Sequence, residues 1–265
     1  MKKVKLLTIL NFLFYVVAFS VSMLSQFNFF NNQNNAQISA KYQTVFTPAG
    51  ITFSIWGLIY TLLFIFVIYH LIQSIKKSVD DEANQAAEKI GYLFILNNLA
   101  TTLWVFAFSF EQIGVSLLLM IVQLVTLTLI IINLKIYRPH ASVASRIFTQ
   151  IPLTIYFAWI CVATLANASV YFISINWNGS FSENKWAIIL IWLAVALSVF
   201  MDIKKKNPYF GLVIIWALYG IYLKLHPFDY EIYRDVILTT WVALAIVGLT
   251  VIIRFIINFM NRSFT

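Results

Sequence analysis

The chain has 265 residues and a formal net charge of +8, yet 61% of its residues are hydrophobic and only 11% are charged. About a quarter of the residues in a water-soluble domain are charged, so a protein with a mean hydropathy of +0.85 is expected in a lipid bilayer. The positive charge does not indicate nucleic-acid binding, because the basic residues lie in short clusters between apolar runs instead of on one basic face.

Eight apolar runs are long enough, or nearly so, to cross a membrane. A bilayer core of roughly 30 Å needs about 20 helical residues, and helices are expected because each backbone polar group must find its partner within the segment. The predicted spans are Leu6–Phe27, Ile51–Ile72, Ile90–Phe110, Ile113–Ile136, Ile147–Ile173, Trp186–Met201, Tyr209–Leu225 and Val236–Phe259. The sequence therefore predicts an all-α, polytopic membrane bundle of about eight transmembrane helices.

The first run follows Lys2, Lys3 and Lys5, as the apolar part of a secretory signal peptide would. Its apolar stretch is longer than the roughly 7–15 residues of a signal peptide, and no small-residue cleavage site follows closely. We therefore expect an uncleaved membrane helix, with a signal peptide as the alternative.

The distribution of basic residues predicts the orientation. With the N-terminus inside, fourteen of the eighteen lysines and arginines fall in cytoplasmic segments and four fall outside, as the positive-inside rule requires. The alternation holds only if all eight spans exist. We expect a multi-pass protein of the cell membrane with both termini in the cytoplasm.

Two hydrophilic loops stand out between the early spans. Phe27–Phe46 is predicted outside and is rich in asparagine with almost no charge, whereas Lys76–Lys89 is predicted inside and is charged and compatible with a helix. The first is long for a connection between helices, and long loops are often functional.

Motifs of several enzyme and carrier classes are missing. The chain has no P-loop, no nucleophile elbow and no H-E-x-x-H stretch. The acidic residues cluster in loops and none sits near the middle of a span, which argues against an ion-coupled carrier. Cys161 stands alone and the three histidines never pair at helical spacing, so we expect no disulfide framework and no two-histidine metal site.

Three spans carry aromatic and polar side chains on one helical stripe. Successive helical residues advance by about 100°, so residues three, four or seven positions apart lie on the same face. The residues at these spacings are Trp56 and Tyr60 in the second span, Asn97, Thr101, Trp104 and Phe108 in the third, and Tyr156, Trp159, Ala163 and Asn167 in the fifth.

Each of these residues alone has a structural explanation. Tryptophan and tyrosine favour membrane interfaces, and amides often bridge neighbouring helices. The stripe from Tyr156 to Asn167, however, runs over more than two turns, too far for an interfacial belt at one depth, and an amide in hydrocarbon costs free energy unless it has a partner. Aromatic walls with a few polar groups line small-molecule pockets, so the stripes together predict a pocket for a flat apolar ligand, held by area burial and ring stacking.

These residues resemble the translocator protein family, also called the tryptophan-rich sensory protein (TspO/MBR) family. The second helix of that family opens with a pair of prolines followed by W-x-x-x-Y. Here Pro48, Trp56 and Tyr60 keep the pattern, while Thr47 stands at the first proline position.

The third and fifth helices of the family carry further matching positions. The third reads N-x-x-W, where Trp104 matches, Thr101 stands at the asparagine position and Asn97 lies one turn earlier. The fifth reads P-Y-x-x-W-x-x-x-A-x-x-x-N. The stretch "YFAWICVATLAN" follows this pattern from its tyrosine onward, while Ile155, the residue before the stretch, stands at the proline position. The positions kept in the fifth helix are Tyr156, Trp159, Ala163 and Asn167.

The resemblance implies a fold, a ligand and a site. It covers about residues 1–175, predicted as a TspO-like five-helix core, and residues 176–265 add three transmembrane helices. Family members bind porphyrins and haem-like tetrapyrroles, which implies a bound porphyrin or haem. The residues of the sequence themselves indicate no metal ligand and no catalytic residue, and we expect no required cofactor. The ligand-binding residues carried over are Trp56, Tyr60, Asn97, Thr101, Trp104, Tyr156, Trp159, Ala163 and Asn167, with the Phe27–Phe46 loop as a lid.

Several functions remain open from the sequence. The first is binding of the tetrapyrrole for sensing or transport. The second is a permease subunit whose partner ATPase docks on loops such as Lys76–Lys89, and the third is a membrane enzyme that degrades the porphyrin. The expected partners are the small hydrophobic ligand and the lipid bilayer, with a homodimer left open.

Overall fold

A computed structural model of the chain describes residues 1–42, 44–136, 141–177, 181–226 and 230–262, and these residues contain no β-strand. The helices are α1 (Lys2–Gln26), α2 (Asn35–Lys41), α3 (Ile55–Lys76), α4 (Glu82–Ile90), α5 (Leu93–Ser109), α6 (Ile113–Leu134), α7 (Val143–Ser145), α8 (Ile151–Ser174), α9 (Glu183–Lys204), α10 (Pro208–Leu225) and α11 (Tyr230–Arg262). A 3₁₀ helix, Gly50–Ser54, precedes α3, and a π-helical turn, Arg146–Gln150, joins α7 to α8.

Seven helical segments of the described residues are long and apolar enough to cross a membrane. The pair α4 and α5 passes the same test together but is bent by 56°, which brings the number of spans to as many as eight. The bend lies beside Gly91, whose φ of 55° is a left-handed conformation that glycine adopts without steric cost. The prediction of an all-α polytopic bundle is confirmed.

The predicted spans match the observed helices closely, with differences at their ends. The seventh prediction, Tyr209–Leu225, differs from α10 by one residue, whereas α11 is 33 residues long and begins before the predicted Val236. Part of the charged loop Lys76–Lys89 forms α4, which begins where the Asp81 side chain accepts a hydrogen bond from the Ala83 N–H at 3.0 Å, a standard N-cap. The chain is a multi-pass membrane protein, and the cytoplasmic position of its termini stays a prediction.

The chain folds as two compact units. The first comprises Met1–Ile38 and Ile55–Ile160, and the second comprises Ser39–Ser54 and Cys161–Thr265. The division falls within α8, so this helix contributes residues to both units. The predicted organisation into a five-helix core and three added helices, divided at residue 175, stays a prediction.

In the first unit, α1 buries a polar stripe and exposes an apolar one. It packs against α3 and α5, and α5 packs against α6. Leu13 and Val17 on its other face are 50% and 51% exposed. Lipid tails are as apolar as leucine, so membrane helices associate through small and hydrogen-bonding side chains. The buried stripe consists of Thr8, Asn11, Tyr15, Ala18, Ser22 and Ser25.

In the second unit, α9, α10 and α11 pack against one another, and α10 also contacts the 3₁₀ helix. Gly220 of α10 lies close to this segment, and its carbonyl oxygen accepts a hydrogen bond from the Ala49 N–H at 2.9 Å. A Cβ atom at Gly220 would lie 2.1 Å from Thr52 Oγ1 and 2.9 Å from Pro48 Cβ. Glycine is therefore required for α10 to pack on this segment.

Two further side chains of α10 bind the backbone of the same segment. Trp216 Nε1 donates to the Thr52 carbonyl at 2.9 Å, and Lys224 Nζ donates to the carbonyls of Thr44 at 2.6 Å and Thr47 at 3.1 Å. Hydrogen bonds from a charged donor are stronger than neutral ones. These bonds fix the segment that leads to the 3₁₀ helix against α10.

Candidate functional site

Five of the predicted site residues form one aromatic cluster in the first unit. The ring centroid of Trp56 lies 5.5 Å from that of Tyr60, 6.5 Å from Trp104, 6.3 Å from Tyr156 and 6.4 Å from Trp159. All five side chains are buried, and Trp56, the most accessible, is 8% exposed. The stripes of three separate helices thus converge, with Trp56 at their centre.

A buried polar network lies beside the aromatic cluster. The Tyr156 hydroxyl donates to Asn97 Oδ1 at 2.8 Å and lies 3.0 Å from Thr101 Oγ1. Asn97 Nδ2 in turn donates to Thr126 Oγ1 at 2.8 Å and to the Gln123 carbonyl at 3.1 Å, and Thr101 Oγ1 lies 3.0 Å from Gln123 Oε1. The network therefore links α5, α6 and α8 through one tyrosine and two amides.

The network includes Asn97 and Thr101, two of the site residues predicted in the third span. Thr101 stands at the position where the family pattern has asparagine, and Asn97 lies one turn earlier; both contact the Tyr156 hydroxyl. Helical spacing did not predict their partners on α6, Gln123 and Thr126. A signal existed in the sequence, because Gln123 interrupts an otherwise apolar run and a buried amide needs partners.

Trp104 Nε1 of the aromatic cluster and Gln123 Nε2 of the polar network are buried donors that have no hydrogen-bond acceptor among the described residues. An unsatisfied buried donor costs about 1–3 kcal/mol, so such groups are uncommon unless they have another role. Both could donate to an acceptor on a bound molecule.

Residues of α1, which the sequence analysis did not assign to the site, enclose Tyr60. The Tyr15 hydroxyl donates to the Tyr60 carbonyl at 2.7 Å, and Ser22 Oγ lies 2.5 Å from the Tyr60 hydroxyl. The Phe19 ring packs edge-on against Tyr60 at 5.4 Å. Tyr60 therefore bonds to α1 while its ring stacks on Trp56.

The last two predicted residues, Ala163 and Asn167, belong to the second unit. Asn167 is 5% exposed and Ala163 is half-buried. Both continue along the stripe of α8 that begins at Tyr156, because the helix is unbroken from Ile151 to Ser174. The structure thus brings together seven of the nine predicted residues within the first unit.

The aromatic cluster is packed ring against ring. A flat ligand held between two aromatic faces would keep the rings about 7 Å apart, because each contact needs about 3.5 Å. The four distances to Trp56 are shorter than this, and its ring is tilted by 31° to Trp104 and by 87° to Trp159. A planar molecule entering the cluster must therefore separate at least one pair of rings or lie along its edge.

The first part of the Phe27–Phe46 loop lies on the end of α5. Asn31 Nδ2 donates to the Ser109 carbonyl at 3.2 Å, and the rings of Phe30 and Phe106 meet edge-on at 4.8 Å. The asparagine content of the loop has a structural reason, since asparagine tolerates the left-handed conformation better than most residues. The asparagines with positive φ are Asn28, Asn31 and Asn32.

The second unit contains a cavity of about 280 Å³. Its wall is formed by Thr44–Phe46, by the second half of α8 and by the first turns of α9. None of the nine predicted residues is among those that line it. These three stretches are far apart in the sequence and share no helical spacing, so the residue pattern of single helices could not predict the cavity.

Comparison with known protein families identifies a family that matches most of the chain. The family described as "TSPO-like protein" matches residues 8–254, a range that covers the predicted five-helix core, apart from its first seven residues, and most of the three helices after residue 175. No curated protein and no solved structure matches the chain.

Proposed function

The chain belongs to the TSPO-like protein family, and on that premise we propose that it binds a flat hydrophobic ligand, a porphyrin or a haem-like tetrapyrrole, at the aromatic cluster of its first unit. The binding serves sensing or transport of the tetrapyrrole in the cell membrane. The function needs no catalytic residue.

The convergence of the aromatic cluster carries the proposal. Aromatic residues that faced only lipid or an interface would have no reason to meet at Trp56 from three helices, and all five rings of the cluster are buried. Aromatic pairs contribute about 0.5–1.5 kcal/mol beyond their area burial. A flat apolar ligand that replaces ring–ring contacts by ring–ligand contacts keeps much of this energy and adds its own buried area.

The two unsatisfied donors suit the polar edge of such a ligand. Porphyrins carry carboxylate side chains at the edge of an apolar macrocycle, and Trp104 Nε1 and Gln123 Nε2 are buried N–H donors beside the cluster. A hydrogen bond to a charged acceptor contributes more than a neutral one, about 1.5–3 kcal/mol. These donors would fix the orientation of the macrocycle, while the ring faces supply most of the affinity.

The residues of the cluster include no histidine, cysteine or methionine. Binding would therefore depend on the shape and the ring faces of the macrocycle instead of on a bond to a central metal. A metal-free porphyrin and its iron complex are then expected to bind with similar affinity.

Titration of the purified full chain with protoporphyrin, followed by quenching of tryptophan fluorescence, tests the proposal. Trp104→Ala and Trp159→Ala are each expected to weaken binding about 5-fold or more, because each removes an aromatic ring that would contact the macrocycle. The control is Trp192→Ala, which removes a tryptophan that is 41% exposed on α9 and is expected to bind as the wild type does.

Folding is checked in the same samples by circular dichroism and thermal unfolding, with Trp104→Phe and Trp159→Phe as conservative variants. Unchanged affinity in both alanine variants, in proteins that fold, would overturn the assignment of the ligand to the aromatic cluster.

A further inference from the structure

The cavity of the second unit lies on a different face of α8 from the predicted ligand-binding stripe. Counting about 100° per residue, Ala163 and Asn167 stay within about 20° of the direction of Tyr156. The cavity-lining residues Ala168 and Phe172 lie about 120° and 160° from that direction. The cavity is therefore separate from the site proposed for the tetrapyrrole.

One wall of the cavity is a chain of aromatic rings. The centroids of Phe172 and Trp177 are 4.6 Å apart, those of Trp177 and Trp186 are 5.4 Å apart, and those of Phe181 and Trp186 are 5.6 Å apart. Together with Phe46, these rings line the cavity. Such walls favour an aromatic guest, which gains edge-to-face or offset ring contacts.

The cavity has one buried donor that no described residue satisfies, Trp186 Nε1. Trp186 belongs to the lining of the cavity, and its indole ring is held between Trp177 and Phe181. A buried N–H group without an acceptor costs about 1–3 kcal/mol. A guest that carries a hydrogen-bond acceptor would remove this cost.

Size and charge narrow the class of guest. A volume of about 280 Å³ is just below the roughly 300–1,000 Å³ of sites that take drug-sized molecules, so the cavity suits one or two fused rings and not the four pyrrole rings of a porphyrin. Glu183 is also one of the residues that line the cavity, and its negative charge disfavours an anionic acceptor by like-charge repulsion. A molecule of one or two rings with a neutral carbonyl group satisfies both the limit on size and the limit on charge.

From these observations we infer that the second unit has its own binding site, which takes a small neutral aromatic molecule with a carbonyl-type acceptor for Trp186 Nε1. The aromatic wall holds the rings of the molecule, and the indole N–H selects for the acceptor. This site is independent of the proposed tetrapyrrole site.

A pair of matched probes tests the inference on the purified full chain in detergent. The probes are 2-acetylnaphthalene, which has a carbonyl acceptor, and 2-isopropenylnaphthalene, which has the same carbon skeleton but a CH₂ group in place of the oxygen and therefore no acceptor. Isothermal titration is expected to show that the wild type prefers the ketone, after correction for partition into micelles, by about 3- to 10-fold. Trp186→Phe keeps the ring but removes the donor, so this preference is expected to vanish.

Filling the cavity provides the second arm. Ala168→Phe from α8 and Leu190→Phe from α9 each place a ring in the lining and are expected to abolish saturable binding of both probes. Protoporphyrin affinity is expected to stay at the wild-type value in Trp186→Phe. A ketone preference that survives in Trp186→Phe, or wild-type probe binding in both filled variants, would overturn the inference.

Discussion

The aromatic cluster of the first unit and the cavity of the second unit are built from the same kinds of residue, yet they differ in how space is used. In the cluster, tryptophan and tyrosine rings pack on one another at 5.5–6.5 Å, and the Tyr156 hydroxyl donates to the nearby amide of Asn97. In the cavity, aromatic rings line one side of an open volume of about 280 Å³. Aromatic residues on a helical stripe therefore predict where helices converge, but not whether room for a ligand is already open.

The difference has a consequence for how each site binds. A ligand at the cluster must displace ring–ring contacts. Its affinity is therefore reduced by the free energy needed to separate the rings, and this free energy is smaller the closer the free protein is to the bound conformation. A guest of the cavity enters existing space. Binding at the cluster is accordingly expected to be slower and more sensitive to the surrounding packing than binding in the cavity.

The largest expected effect concerns the packing of the second unit. Gly220→Ala would place a Cβ atom 2.1 Å from Thr52 Oγ1 and 2.9 Å from Pro48 Cβ, and overpacking of this kind costs about 1–3 kcal/mol or more. We expect a lower midpoint of thermal unfolding and weaker probe binding in the cavity, because Thr44–Phe46 belongs to the displaced segment. Circular dichroism and the naphthalene probes measure the two effects.

Gly248→Ala is the matched control for this prediction, since no atom lies within 4 Å of the Cβ it would introduce. Equal unfolding midpoints for the two variants would mean that α10 does not depend on close contact at Gly220.

The next effect concerns the polar network of the first unit. Asn97→Ala removes three buried hydrogen bonds, to the Tyr156 hydroxyl, to Thr126 Oγ1 and to the Gln123 carbonyl, and each such bond contributes about 0.5–1.5 kcal/mol. Asn98→Ala is a close control, because Asn98 is also buried but, among the described residues, its amide donates to the Phe94 carbonyl of its own helix and to no other helix. Chemical unfolding should show the larger loss for Asn97→Ala, and the reverse order would contradict a structural role for the network.

The smallest expected effect is on the release rate of protoporphyrin and concerns the first part of the Phe27–Phe46 loop. Asn31→Gly keeps the left-handed backbone but removes the amide that donates to the Ser109 carbonyl. If the loop acts as a lid, stopped-flow displacement should show protoporphyrin leaving about 2- to 10-fold faster. Asn32→Gly changes an exposed asparagine with the same φ and should leave the release rate unchanged; equal rates in both variants and the wild type would reject the lid.

The architecture was largely predictable from the sequence because the bilayer imposes a simple rule. A run of about 20 apolar residues in hydrocarbon is expected to be a helix, so the eight runs predicted the seven long helices and the apolar half, α5, of the bent pair α4 and α5. Hydropathy could not show the bend between α4 and α5, which depends on the backbone conformation of one glycine, Gly91. It also placed the start of α11 too late, since Tyr230–Asp235 is polar but still helical.

The candidate site was predictable only where it follows one helix at a time. Helical spacing identified Trp104 on α5 and Tyr156 on α8 as members of stripes, and the structure brings both to Trp56. Spacing along one helix says nothing of the partner on another, so Gln123 and Tyr15 were missed. The cavity was missed for the same reason, because its wall combines Thr44–Phe46 with residues more than 120 positions later.

Oxidation of tryptophans by bound protoporphyrin tests the central claim most directly. Illuminated protoporphyrin generates singlet oxygen, which oxidises the nearest indole rings, and mass spectrometry identifies them. Binding at the aromatic cluster predicts that Trp56, Trp104 and Trp159 react first although they are only 8%, 6% and 2% exposed. Oxidation that instead begins at Trp177, Trp192 and Trp241, which are 43%, 41% and 49% exposed, would contradict a tetrapyrrole site in the first unit.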